Sequence, residues 1–335
     1  MYYRPAALCT LGGLLVLVAG LAGCSGAGSP GPTPAAVVAP AAAVGPAALS
    51  FHFVRAFTND DSATYGHMEP WGIAVGPSGG VYVTDYGAGA FCRVVKFSPT
   101  GSQLETWGHL GDYDNHLQDP NGVITNSTDV YVTDLGANQR IMEYTPSGGF
   151  VRWWGGPGTA NREFNGPAGL ALDATNHVYV VDNSNNRIQK FSSTGAFGKA
   201  WGDAGTAAGQ FEYPEGIAVD SNGFVYVADT SNYRIQKFTS TGGFVKTWGS
   251  AGTANGRFNN PWGLAVDKNN NLYVADSDNN RVQVFTSAGV FLTAFGSKGS
   301  GNGQFREPYG VAVNKSNGNV YVADTSNYRI EEFAP

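Results

Sequence analysis

The tetrapeptide Tyr-Val-x-Asp occurs six times, with its aspartate at Asp85, Asp134, Asp182, Asp229, Asp276 and Asp324. The spacings are 49, 48, 47, 47 and 48 residues. A period this regular means one structural unit copied along the chain, because neighbouring copies must stack on each other to bury their apolar faces. The eight residues ADTSNYRI even recur letter for letter, at 228–235 and 323–330. Residues 214–249 show the grammar of one unit. GIAVD, FVYVAD, RIQKF and FVKTW are short runs rich in Val, Ile, Tyr and Phe, separated by Ser-Asn-Gly, Thr-Ser-Asn and Thr-Ser-Thr-Gly-Gly. Such runs between turn clusters read as four antiparallel strands joined by hairpins, and no helical period interrupts them. The 47 glycines and the 14% charged residues fit many tight turns, not helices with solvated faces.

The first strand of each unit alternates small and branched residues. Gly216 and Ala218 share one face and Ile217 and Val219 the other, and the split repeats at Gly263/Ala265 and Gly310/Ala312. That pattern suits the innermost strands of radially stacked sheets, where neighbours approach closely. Six such units predict an all-β, six-bladed β-propeller of four-stranded antiparallel blades. The chain stops at RIEEFAP, a third strand without a fourth, and begins its patterned part with FVRAF at 53–57, a fourth strand without a blade. The N-terminal strand is therefore expected to complete the last blade, which leaves no open edge. The run G-Q-F-x-x-P-x-G-I-A-V-D, then V-Y-V-A-D, then N-x-R-I-Q-K-F resembles NHL repeats. The match is nearly complete over 209–238 and weaker over about 53–333, with blades one and two the most divergent.

The first residues are of another kind. MYYRPAALCTLGGLLVLVAGLAGC holds one basic residue, Arg4, then an uncharged apolar run ending in small residues. It reads as a secretory signal over 1–23. LAGC resembles the lipobox of bacterial lipoproteins, which implies lipid modification of Cys24. An uncleaved N-terminal anchor is the alternative. Residues 24–50 carry no charge and are dominated by Ala, Pro and Gly, a tether that cannot bury enough surface to fold. The propeller is then expected over 51–335, lipid-anchored on the extracytoplasmic face of the cell membrane and monomeric. With Cys9 in the signal and Cys24 in the lipobox, only Cys92 remains, so the domain holds no internal disulfide, and Cys92 is expected as a small buried hydrophobe. Loss of Arg4 with the signal takes the formal charge from −6 to −7. An acidic domain is poorly suited to nucleic acid, whose binding rests on Lys/Arg neutralisation of phosphates.

Most recurring residues read as architecture. The pairs Asp182/Arg187, Asp229/Arg234, Asp276/Arg281 and Asp324/Arg329 stand five residues apart across one hairpin and are expected to brace it. DSDNNR at 276–281 lacks the distal Glu of a calcium loop and reads as a turn. The informative position is the one that varies, the middle of Pro-x-Gly: Trp71, Asn121, Ala168, Glu215, Trp262 and Tyr309. It precedes each innermost strand, so these side chains are expected at the channel mouth. Trp71, Asn121, Glu215, Trp262 and Tyr309 form the candidate ligand-binding cup.

The main expectation is an exported binding or scaffold module that recognises a protein, peptide or glycan partner at this mouth, without cofactor. The alternative is a metal-dependent lactonase-, hydrolase- or lyase-like propeller enzyme working in the channel. The resemblance implies that route, since related six-bladed propellers include peptidyl-hydroxyglycine amidating lyases and lactonases with a metal in the channel. That lyase family places zinc-ligating histidines at the middle of Pro-x-Gly, and this chain has none there. His52, His67, His109, His116 and His177 fall at scattered phases of the repeat. Only Glu215 and Asn121 could serve a metal at the rim, calcium being the fitting ion. The sequence reading therefore leans against an enzyme and assigns no catalytic residue.

Overall fold

The computed structural model describes residues 49–59, 67–87, 92–108, 110 and 115–335. The signal segment, Cys24, the tether up to residue 48 and His109 lie outside the described residues. No helix among the described residues is long and apolar enough to cross a membrane.

Six four-stranded antiparallel sheets surround a channel. In blade six the strands Pro308–Val313, Val320–Asp324 and Arg329–Ala334 are joined by His52–Phe57 as the fourth strand, the closure expected from the two incomplete ends. His52 pairs with Ala334 and Phe57 with Ile330, and Arg55 Nε reaches Glu332 at 2.8 Å across the seam. Pro308 pairs with Asp324, which in turn pairs with Arg329. The Pro-x-Gly segments, the turns after Tyr-Val-x-Asp and the loops between blades thus lie on one face. The remaining hairpins, with His52 and Ala334, lie on the other.

Each glycine of Pro-x-Gly has a steric reason. A Cβ on Gly72 would strike the Asn121 carbonyl oxygen, one on Gly216 that of Trp262, and one on Gly310 that of Trp71. Every innermost strand is pressed against the mouth residue of the next blade, and the contact at Gly310 closes the ring.

The repeated tetrapeptide divides its work between the two faces. In the first four blades the tyrosine hydroxyl donates to the next blade's outer hairpin, as in Tyr131 to the Ser193 carbonyl at 3.2 Å. The aspartate holds its own blade's mouth-side loop. Asp229 accepts the Glu212 N–H at 2.8 Å and Arg234 Nε at 2.6 Å, while the Arg234 guanidinium donates to the carbonyls of Thr206, Ala207 and Gln210. The same brace recurs at Arg187, Arg281 and Arg329. It is also present in the first two blades, as Arg93–Asp85 at 2.8 Å and Arg140–Asp134 at 3.1 Å. There the hairpins are longer, so the five-residue spacing hides the pairs. DSDNNR is a turn of this brace: Asp276 pairs with Arg281 and accepts from Asn279.

Blades are also stitched at the mouth, by two alternative hydroxyl clamps. In the first two blades the threonine inside the tetrapeptide donates to the next blade's mouth carbonyl: Thr84 to Asn121 at 2.6 Å and Thr133 to Ala168 at 2.8 Å. In the last three the residue after the aspartate donates to the next blade's proline carbonyl. Thr230 bonds Pro261 at 2.8 Å, Ser277 bonds Pro308 at 2.7 Å and Thr325 bonds Pro70 at 2.6 Å. Cys92 is buried and free, and burial raises its thiol pKa.

Candidate functional site at the channel mouth

A cavity of about 660 Å³ runs along the innermost strands, and Trp71, Asn121, Glu215, Trp262 and Tyr309 line it. Ala168 is buried, its carbonyl taken by Thr133. Five of the six variable positions therefore meet at one opening, and their order round the ring divides it. Blades five, six and one contribute Trp262, Tyr309 and Trp71, and the opposite half has Asn121, Ala168 and Glu215.

The aromatic half is built, not merely collected. Trp262 stacks on Tyr309 with centroids 4.5 Å apart, and Trp71 stacks on Tyr86 at 4.3 Å. The two stacks meet nearly at right angles: Trp71 lies edge-on to Trp262 at 83° and to Tyr309 at 74°. The edge-to-face contacts fix the rings as a rigid wall at about 0.5–1.5 kcal/mol per pair.

The polar half centres on Glu215. Its Oε1 accepts from Asn183 Nδ2 at 2.9 Å, and the same amide donates to the Pro214 carbonyl at 2.9 Å. Asn183 occupies the slot that Thr230, Ser277 and Thr325 fill in later blades. It keeps their clamp and adds a hold on the carboxylate. Burial raises the Glu215 pKa from its ordinary value to about 8, opposed by the Asn183 hydrogen bond.

Three other carboxyl groups are also pushed well up by burial: Asp134 to about 6, and Glu143 and Glu331 to about 7. Each faces an arginine: Arg140, Arg152 and Arg329 respectively. They belong to braces. Glu331 stands where Gln189, Gln236 and Gln283 stand in the preceding blades. Glu215 alone of the four has no cation beside it and opens on the channel. Asn121 completes this half: it lines the cavity and is only 6% exposed.

The donor set does not suit a resident metal. Among the described residues no three His, Cys, Asp or Glu side chains gather as ligands, and no histidine lines the cavity. One carboxyl and one amide fall short of the oxygen shell that calcium takes.

Five segments match the NHL repeat family, at 68–92, 164–191, 211–238, 258–285 and 305–333. The chain is an NHL-repeat β-propeller. The second blade is the one without a match, and it is where DLGANQR replaces the shorter turn. No curated protein matches the chain.

Among solved structures the propeller is similar to a streptogramin B lyase, at 18% identity and a TM-score of 0.59, over 84% of this chain and 97% of that one. It is similar to a catalytically inactive histidine-to-alanine variant of virginiamycin B lyase from Staphylococcus aureus, solved with quinupristin. The identity there is 17% and the TM-score 0.56, over 85% and 100% of the two chains. A Bacteroides thetaiotaomicron protein of unknown function gives 18% and 0.63, over 80% of this chain and 70% of that one. At these identities the likeness is one of fold.

It nonetheless corrects one expectation. The sequence reading leaned against an enzyme because no catalytic set was visible. The propellers that this chain resembles include lyases, so the fold gives no ground for that leaning. The absence of histidine at Pro-x-Gly argues against one metal arrangement and does not argue against catalysis.

Proposed function

We propose that the propeller is an acid–base enzyme of the lyase type, working at the channel mouth with Glu215 as its base. A lyase of this type removes a proton from one carbon and expels a leaving group from the next. The C–H electron pair becomes the double bond, the leaving group departs with the electrons of its own bond, and water protonates it. The base must be strong enough to take a carbon-bound proton and still be ionised near the working pH. A carboxyl group with its pKa near 8 meets both needs better than an ordinary carboxylate.

The observation that carries this reading is the paired departure from the repeat. At one blade junction, and only there, an asparagine replaces the clamping hydroxyl while a glutamate lines the opening, and the two are bonded. That propellers of similar fold are lyases supports it. Asn183 would orient Glu215, and the aromatic wall would hold the substrate against it.

Cyclic esters test the reading directly. Elimination opens such a ring without changing its mass, whereas a lactonase adds one water. Mass spectrometry of a panel of lactones and cyclic depsipeptides is expected to show unsaturated products of unchanged mass. Glu215→Gln is expected to lower kcat by about a hundredfold or more while leaving the melting temperature within a few degrees. Products that all carry an added water, or a Glu215→Gln variant with full activity, would sink the proposal. The rate is expected to rise with pH through about 8, because the working form is the carboxylate.

A further inference from the structure

Five side chains from the middle of Pro-x-Gly line the opening: Trp71, Asn121, Glu215, Trp262 and Tyr309. One is a carboxyl group, one an amide, three are aromatic and none is basic. Several buried carboxyl groups elsewhere in this protein are met by arginines, as at Asp85, Asp134, Glu143 and Asp324. The mouth omits that partner.

We propose that the mouth binds a small organic cation, an amine or quaternary ammonium group carried by the molecule that enters the channel. The electron-rich faces of Trp and Tyr attract a cation within about 6 Å of the ring centre. The corner made by the Trp71–Tyr86 and Trp262–Tyr309 stacks, with planes 83° and 74° apart, offers such rings from two directions. Glu215 faces this corner from the other half of the opening with one oxygen held by Asn183. Asn121, more than nine-tenths buried, carries an acceptor oxygen in the same cavity. A cation supplies the counter-charge that these mouth side chains lack; Lys315, which also lines the cavity, follows the far end of the Pro308–Val313 strand. The formal charge of −6 favours the same sign of ligand at long range.

Titration gives this inference a second readout. No charged side chain contributes to the shift of Glu215; burial and the Asn183 hydrogen bond account for it. A permanent cation stabilises the carboxylate form, so its binding releases protons at neutral pH and tightens as pH rises through about 8.

The inference takes the mouth as the working site, as the proposed function does, but its test needs no turnover. Choline is the probe, with the dimethylbutanol in which carbon replaces nitrogen as its uncharged isostere. Calorimetry on the full chain, in two buffers of different ionisation heat, is expected to show choline binding at least about tenfold tighter than the isostere. It should also show proton release that disappears above pH 9. Glu215→Gln should remove most of the preference and the proton release, and Trp262→Ala should weaken choline several-fold. Equal affinity for the two probes would overturn the cation and leave an uncharged ring as the ligand. No binding of either would overturn the inference outright. Either outcome leaves the elimination reading to stand or fall on its own products.

Discussion

The junction between blades three and four and the junction between blades four and five are copies of one design with two residues exchanged. In the second, Thr230 clamps the Pro261 carbonyl and Trp262 joins the aromatic wall. In the first, Asn183 clamps the Pro214 carbonyl with the same reach, and its amide also holds Glu215. The close packing survives the exchange, Gly169 lying on the Glu215 carbonyl as Gly216 lies on that of Trp262, although the innermost strand at Glu215 is shortened to Ile217–Val219. The stitching between blades and the chemistry of the mouth are therefore separable. A repeat can vary one residue at its rim without loosening the ring, provided that the residue in the clamp slot still donates to proline.

The largest effect should come from what both junctions share. Gly216→Ala and Gly169→Ala each drive a Cβ into the next blade's backbone, where nothing flexible can give way. Each is expected to cost several kcal/mol and to lower the melting temperature by ten degrees or more, roughly alike at the two sites. Calorimetric melting of both variants checks this. If one junction tolerates the alanine, the two are not copies and the comparison fails.

Thr230→Val should come next. It keeps the shape and removes the donor, leaving the buried Pro261 carbonyl short of a partner, at a cost of about 1–3 kcal/mol. Urea unfolding at fixed pH measures it. Because the mouth residues are untouched, turnover at a temperature well below the melting point should not change.

Much of the ring was legible in the sequence because repetition multiplies weak signals. Six copies of Tyr-Val-x-Asp established period and blade count, and the two incomplete ends forecast the His52–Ala334 seam. Arg93 and Arg140 were missed as braces because longer hairpins shifted their spacing, although each opens its third strand. At the mouth, variation at Pro-x-Gly pointed to Glu215 and the aromatic residues. Asn183 was missed although its signal was present, one residue beyond the tetrapeptide, as an amide in a column of hydroxyls. Two properties could not be read from letters at all. The mutual stacking of Trp71, Trp262 and Tyr309 depends on side-chain directions across blades. The raised pKa of Glu215 depends on how much water the finished ring excludes.

The smallest effect on stability should be the most informative about the site. Asn183→Thr turns the first junction into the second at the clamp: the threonine hydroxyl can reach the Pro214 carbonyl as Thr230 reaches Pro261, so unfolding free energy should move by less than about 0.5 kcal/mol. Glu215 loses its hydrogen bond. That bond favours the carboxylate and holds the pKa down against burial, so its removal raises the pKa further above 8. The sign carries through to catalysis. A base that is harder to ionise shifts the rising limb of kcat/KM toward higher pH, with the plateau regained once the carboxylate forms. A purely structural asparagine would lower stability and leave the limb where it was. A variant that melts like the parent while its pH profile moves upward by half a unit or more would place Asn183 as the positioning residue of Glu215. An unmoved profile would reduce the pair to one more stitch between blades.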